Sequence, residues 1–205
     1  NEFSYQYGPR VDLIKATASS INTAFVDLTT QMDSGPRKIM RIAKAAGAPK
    51  GPGWDANTRL PLGTAEVSPL AQASAYATFA NDGVAVANHV VREVRDRKGN
   101  VIYSAQPEKT RAVTEDIAHD VTYALSNVVE EGTGRAVQTL NRPVAGKTGT
   151  KDRKNADGSS DIVSAWFVAY TRQISTAVMY VAGNDGNGDL DRYARPGDST
   201  FFGGT

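Results

Sequence analysis

The chain contains no cysteine. Disulfides, thiolate nucleophiles and cysteine-held metal sites are therefore excluded within these 205 residues. Histidine is almost as scarce, with only His89 and His119. Neither is placed near a carboxylate pair or a metal-spaced partner, so both read as structural, and no metal or other cofactor is expected. Charge of either sign is not in excess. A formal net charge of +1 gives no reason to invoke nucleic acid or an anionic membrane surface as a partner. Long apolar runs are missing too: none approaches the roughly 20 residues of a membrane span. No secretory signal pattern opens the chain. What remains is an ordinary globular composition, 40% hydrophobic and 22% charged. The length suits one sizeable domain or two small ones. The chain starts without Met, at Asn1, and closes on Phe202-Gly203-Gly204-Thr205, which reads as a fragment of a longer polypeptide.

Hydrophobic periodicity comes in two blocks. Residues 10–18, 23–32 and 37–46 read as helices, with Ala24, Phe25, Leu28 and Met32 on one apolar face of the second. Residues 47–67 carry seven Gly or Pro and form a long loop, of the kind that often shapes a cleft. Ser68-Pro69 is a helix start, and Leu70, Ala73, Ala77 and Ala80 are its expected apolar positions. Asn81-Asp82-Gly83 stops it. Residues 90–94 and 101–104 are short strands joined by a turn at 96–100. Thr114 caps a helix to about Glu131, with Ile117, Val121, Leu125 and Val128 inward, and Gly132-Thr133-Gly134 ends it. A strand at 144–150, a polar loop at 151–161, strands at 162–171 and 173–182, and an irregular tail complete the chain. Helices followed by strands predict an α+β fold, a helical cluster packed on an antiparallel sheet.

The candidate chemistry sits on the first of those C-terminal strands, where Lys147-Thr148-Gly149-Thr150 follows Val144-Ala145-Gly146. On an edge strand beside a cleft, free backbone groups can pair with an extended, peptide-like ligand. Lys147 adds positive charge, and Gly149 removes a side chain where another backbone or a substrate must come close. Alternation puts Lys147 and Gly149 on one face and the two threonines on the other. Chance alone places Lys-Thr-Gly in roughly one chain in twenty of this length, so the tripeptide needs corroboration. A second candidate is Ser20-Ile21-Asn22 at a helix break, where a hydroxyl and an amide two residues apart can both face a cleft. Ser and Asn are also the usual cap residues, so a purely structural role competes. Asp185-Gly186-Asn187-Gly188-Asp189 resembles the opening of a calcium loop. Leu190 and Pro196 break that pattern, leaving a solvated loop.

Taken together, Ser-x-Asn at a helical break and Lys-Thr-Gly on a C-terminal strand resemble the serine penicillin-recognising enzymes. Longer stretches are similar to the transpeptidase domain of class A, bifunctional penicillin-binding proteins, with an actinobacterial, mycobacterial-type flavour. They are residues 19–25 (SSINTAF), 62–83 (LGTAEVSPLAQASAYATFANDG), 131–135 (EGTGR), 143–150 (PVAGKTGT), 165–170 (AWFVAY) and 202–204 (FGG). The resemblance implies a penicillin-binding protein/β-lactamase-like fold, of which residues 1–205 are one part. It implies a serine acyl-transfer reaction on the D-alanyl-D-alanine end of peptidoglycan stem peptides. Ser20 would shuttle a proton in contact with Lys147, and Asn22 would bind the donor peptide's amide. Thr148 and Thr150 would hold its carboxylate, beside Gly149, and the Thr150 N–H would form half of an oxyanion hole. β-Lactams would acylate the same serine. A linked glycosyltransferase domain, and a place on the outer face of the cell membrane through an anchor outside this chain, are likewise implied.

One departure is large. No lysine in the chain has Ser three residues before it, so the Ser-x-x-Lys motif that carries the family's nucleophile is absent from these residues. The remaining segment of the same protein would have to supply it, together with the closing helix after Gly204. Two other readings stay open. A β-lactamase or carboxypeptidase would use related chemistry, but a class A β-lactamase is expected to show Ser-Asp-Asn and a deacylating Glu, and here Ile21 is the middle residue. A non-catalytic penicillin-binding-like scaffold would leave Ser20, Asn22 and Lys147 without a purpose.

Overall fold

A computed structural model describes residues 7–48, 50–198 and 200–204. The order is three helices, α1 (Leu13–Ala18), α2 (Asn22–Gln31) and α3 (Gly35–Ala45), then α4 (Pro69–Ala80), four short strands, α5 (Glu115–Glu130), and three longer strands. The longer strands are β5 (Ala145–Lys154), β6 (Ser160–Tyr170) and β7 (Ser175–Tyr180), antiparallel in the order β5-β6-β7. The α+β expectation holds, and among the described residues β5 is an edge strand of its sheet.

Local sequence accounts for most helix starts. Asp12 accepts the Lys15 N–H at 2.7 Å, Ser68 accepts the Ala71 N–H at 3.2 Å, and Thr114 caps α5. Helix α3 begins two residues before the expected start, at Gly35, and Pro36 sits in its first turn, where its missing N–H costs nothing.

Packing differs from the periodic reading in phase. On α4 the buried residues are Ala71, Ala75 and Thr78, and Leu70 is exposed. Helix α4 itself carries so many alanines that they alone do not fix its rotation. Thr78 does, donating its buried hydroxyl to Ala46 O at 2.8 Å. On α5, Leu125 and Val128 are buried as expected, but Ile117 is exposed and Ala118 takes the inward place. The core joins Leu125 and Val128 to Ala145 of β5 and Tyr170 of β6. On β6, Phe167 packs with Val129, Val144 and Ala169.

The described residues of the 47–67 loop do not line the cleft described below. Trp54, buried, donates Nε1–H to Glu66 O at 3.1 Å and packs with Ala46, Ala48 and Ala75. The expected loop at 151–161 is mostly strand: β5 runs on to Lys154 and pairs with β6 back to Ser160. Two further strands, β1 (Val84–Val86) and β4 (Lys109–Arg111), pair with each other around the 93–104 hairpin of β2 (Glu93–Arg95) and β3 (Val101–Ser104). They went unread because three-residue strands leave almost no periodicity.

Candidate active site

Ser20 lies in the turn between α1 and α2. Its φ is +53°, a left-handed conformation uncommon outside glycine. Ser20 N–H donates to Thr17 O at 3.2 Å and Ile21 N–H to Ala16 O at 2.9 Å, which closes the turn. Ile21 is extended and buried, so it plugs the core while its two neighbours stay at the surface. Ser20 and Asn22 both line one cleft, with Asn22 exposed at the first position of α2. The middle residue of Ser-Ile-Asn is thus an anchor that presents the outer two.

The cleft has a volume of about 1150 Å³ and lies among the α1–α2 turn, the segment after α5, and β5. From β5 it is lined by Thr148 and Thr150. Lys147 points to the other face of the strand, yet its Nζ lies 2.8 Å from Ser20 Oγ, 3.1 Å from Thr148 O and 3.5 Å from Thr148 Oγ1. Because β5 is an edge, the long lysine stem can bend over it and bring the ammonium beside a threonine on the opposite face. The face conflict in the sequence pattern is resolved this way. Burial lowers the Lys147 pKa from 10.5 to about 8, because the charged form is the one that loses solvation.

Each threonine hydroxyl is held from a different side. Gly203 N–H donates to Thr150 Oγ1 at 3.1 Å, and Thr133 Oγ1 lies 2.6 Å from Thr148 Oγ1. A Cβ on Gly149 would meet the Trp166 side chain at 3.2 Å, not another backbone; the close backbone approach beside it depends instead on Gly203, where a Cβ would sit 2.4 Å from Gly149 O. Thr133 was read only as part of a helix stop. Its one signal was the EGTGR stretch, which carried a resemblance but no assigned role.

The histidines stand apart from this site. His119 does have a carboxylate partner, contrary to expectation, with Nε2 3.2 Å from Asp82 Oδ1. Asp82, Glu115 and His119 are all exposed and none lines the cleft. In the 185–189 run, Asp185 accepts the Asn187 N–H at 3.0 Å, which closes a turn.

Residues 2–196 match the penicillin binding protein transpeptidase domain. The chain belongs to the penicillin-binding protein transpeptidase family. Its relatives include penicillin-binding protein 1A of Aquifex aeolicus, 35% identical over 84% of this chain and 22% of that protein. Penicillin-binding protein 1A of Mycolicibacterium smegmatis is 30% identical over 81% of this chain and 22% of that protein. Both are of the class A type that the sequence resembles, and the second is mycobacterial, as the expected flavour had it. The fold is that of PonA1 from Mycobacterium tuberculosis in complex with penicillin V, with a TM-score of 0.80 at 24% identity, covering 100% of this chain and 55% of that one. The chain spans about a fifth of the length of these curated relatives. Among its described residues no helix is long and apolar enough to cross a membrane.

Proposed function

We propose that residues 1–205 are part of a single D,D-transpeptidase domain that cross-links peptidoglycan stem peptides through a serine acyl-enzyme and is acylated by β-lactams. The observation that carries this reading is the 2.8 Å contact between Lys147 Nζ and Ser20 Oγ, made between residues 127 apart in sequence. A relative solved with penicillin V supports the ligand class. The acylating serine lies on a segment of the same protein outside these residues, and that protein acts at the outer face of the cell membrane.

In the reaction, that serine gives up its hydroxyl proton as its oxygen bonds to the carbonyl carbon of the penultimate D-alanine. The peptide C–N bond breaks, and the departing amine takes up a proton through Ser20 Oγ, which Lys147 holds in place. An amine of a neighbouring stem then attacks the ester and forms the new amide; the ester C–O bond breaks, and the proton the amine loses restores the serine hydroxyl. Asn22 binds the donor's side-facing amide. The Thr148 and Thr150 hydroxyls hold its carboxylate, which the positive charge of Lys147 attracts without a direct hydrogen bond, its three donors being taken by Ser20 and Thr148. Edge position leaves backbone groups along one side of β5 for the ligand, and the Thr150 N–H serves there as an oxyanion donor.

The test is the intact mass of the full-length protein with and without a penicillin. A lasting gain of one drug mass on a serine outside these residues is expected. No gain with the drug intact counts for a scaffold, and no gain with the drug hydrolysed counts for a β-lactamase. A pH series adds a second check. Because Lys147 titrates near pH 8 and its charged form attracts the carboxylate, the second-order acylation rate should fall as pH rises through about 8. Lys147→Arg should remove that descending limb, since a guanidinium stays charged. A limb that persists in the variant has another source.

A further inference from the structure

Thr133 occupies a position that the chemistry above does not use. The Gly132-Thr133-Gly134 segment closes the C-terminus of α5: Gly132 N–H donates to Asn127 O at 3.1 Å and Gly134 N–H to Val128 O at 2.9 Å. Thr133 itself turns away from the helix, and its N–H donates to Ala18 O at 3.2 Å, two residues before Ser20. Its hydroxyl lies 2.6 Å from that of Thr148. Its carbonyl is packed by Gly204, where a Cβ would come within 2.6 Å of it. Main-chain contacts on three sides therefore fix where the Thr133 hydroxyl can be.

A threonine hydroxyl has one proton and two lone pairs. To hold an anion, Thr148 must spend its proton on the ligand. That requires its other neighbours to be donors. The Lys147 ammonium is one, 3.5 Å away. Thr133 is the other when its own proton points to Thr148. Both lone pairs of Thr148 are then taken, and its proton is directed to the cleft that both threonines line.

We infer that Thr133 is a positioning residue for recognition of the ligand's carboxylate, acting through the Thr148 hydroxyl. The inference rests on the transpeptidase reading and adds to it a residue that sets discrimination for an anionic terminus. Valine is the fitting replacement, close in shape and without the hydroxyl, and serine keeps the hydroxyl.

The experiment compares acylation of the full-length protein by benzylpenicillin and by its methyl ester, which lacks the negative charge. The unmutated protein should prefer the acid. In Thr133→Val that preference should drop roughly 10-fold, the scale of one hydrogen bond to a charged group, with the ester rate unchanged. Thr133→Ser should restore it. Thr133→Ala repeats the comparison if thermal unfolding shows the valine variant to be misfolded. Equal losses for acid and ester, an unchanged preference, or no rescue by serine would each overturn the role of Thr133 while leaving the transpeptidase reading intact. No acylation of the unmutated protein overturns both.

Discussion

Lys147→Met in the full-length protein is expected to lose β-lactam acylation by about two to four orders of magnitude, the range over which positioned proton-transfer groups act, and to remain folded. Methionine fills the volume of the lysine stem but cannot hold Ser20 Oγ or attract a carboxylate. Stability supplies an independent readout. Burial sets the folded pKa near 8, below the ordinary value of 10.5. Between those values the unfolded chain binds more protons than the folded one, so this group makes stability rise with pH across that window. Below about pH 8 both states carry the charge, and the folded state bears its full desolvation cost. Lys147→Met should therefore match or exceed the parent in stability at pH 7, and the rise between about pH 8 and 10.5 should vanish. Chemical denaturation across that range, alongside acylation kinetics, checks both parts. Normal acylation in a folded variant would remove Lys147 from the mechanism.

Gly132→Ala is expected to damage the site without touching a reacting atom. A Cβ at Gly132 would lie 2.1 Å from Ala18 O and 2.9 Å from Val128 O, both backbone atoms that cannot swing aside. The end of α5 and the α1–α2 turn must then separate. Overpacking of this kind costs about 1–3 kcal/mol. The larger effect falls on acylation, because the turn that retreats carries Ser20. A misplacement of about 1 Å can cost on the order of 100-fold in rate. Thermal unfolding and acylation rates should both fall, with the rate falling further than the stability loss explains. Parental values for both would mean that the turn and the helix end do not need this contact.

Legibility of the fold followed the length and regularity of each element. Helix α5 and the strands β6 and β7 announced themselves through long apolar patterns. Thr114 and Ser68 could be read as caps because capping is a contact within three residues. The rotation of α4 could not be read, since alanine is apolar on every face and the deciding bond, from Thr78 to Ala46, spans 32 residues. The β1–β4 pair was hidden for a related reason, with three residues per strand and a hairpin between them.

At the site, residue types and spacing raised the candidates, and the resemblance of their motifs implied the roles. Ser20, Asn22, Lys147, Thr148 and Thr150 were identified before any coordinates, and the chain's membership of its family was visible in its motifs. The lack of Ser-x-x-Lys was equally plain, because an absence from a sequence needs no geometry. Tertiary structure decided how those candidates meet. Strand alternation assigns Lys147 and Thr148 to opposite faces, and only an edge strand lets the lysine stem bend across to both Ser20 and Thr148. It also brought in Thr133, whose contacts with Ala18 and Thr148 join segments distant in the chain. A hydrogen bond between such segments leaves no periodic trace in sequence, because its partners are set by packing and not by neighbours along the backbone.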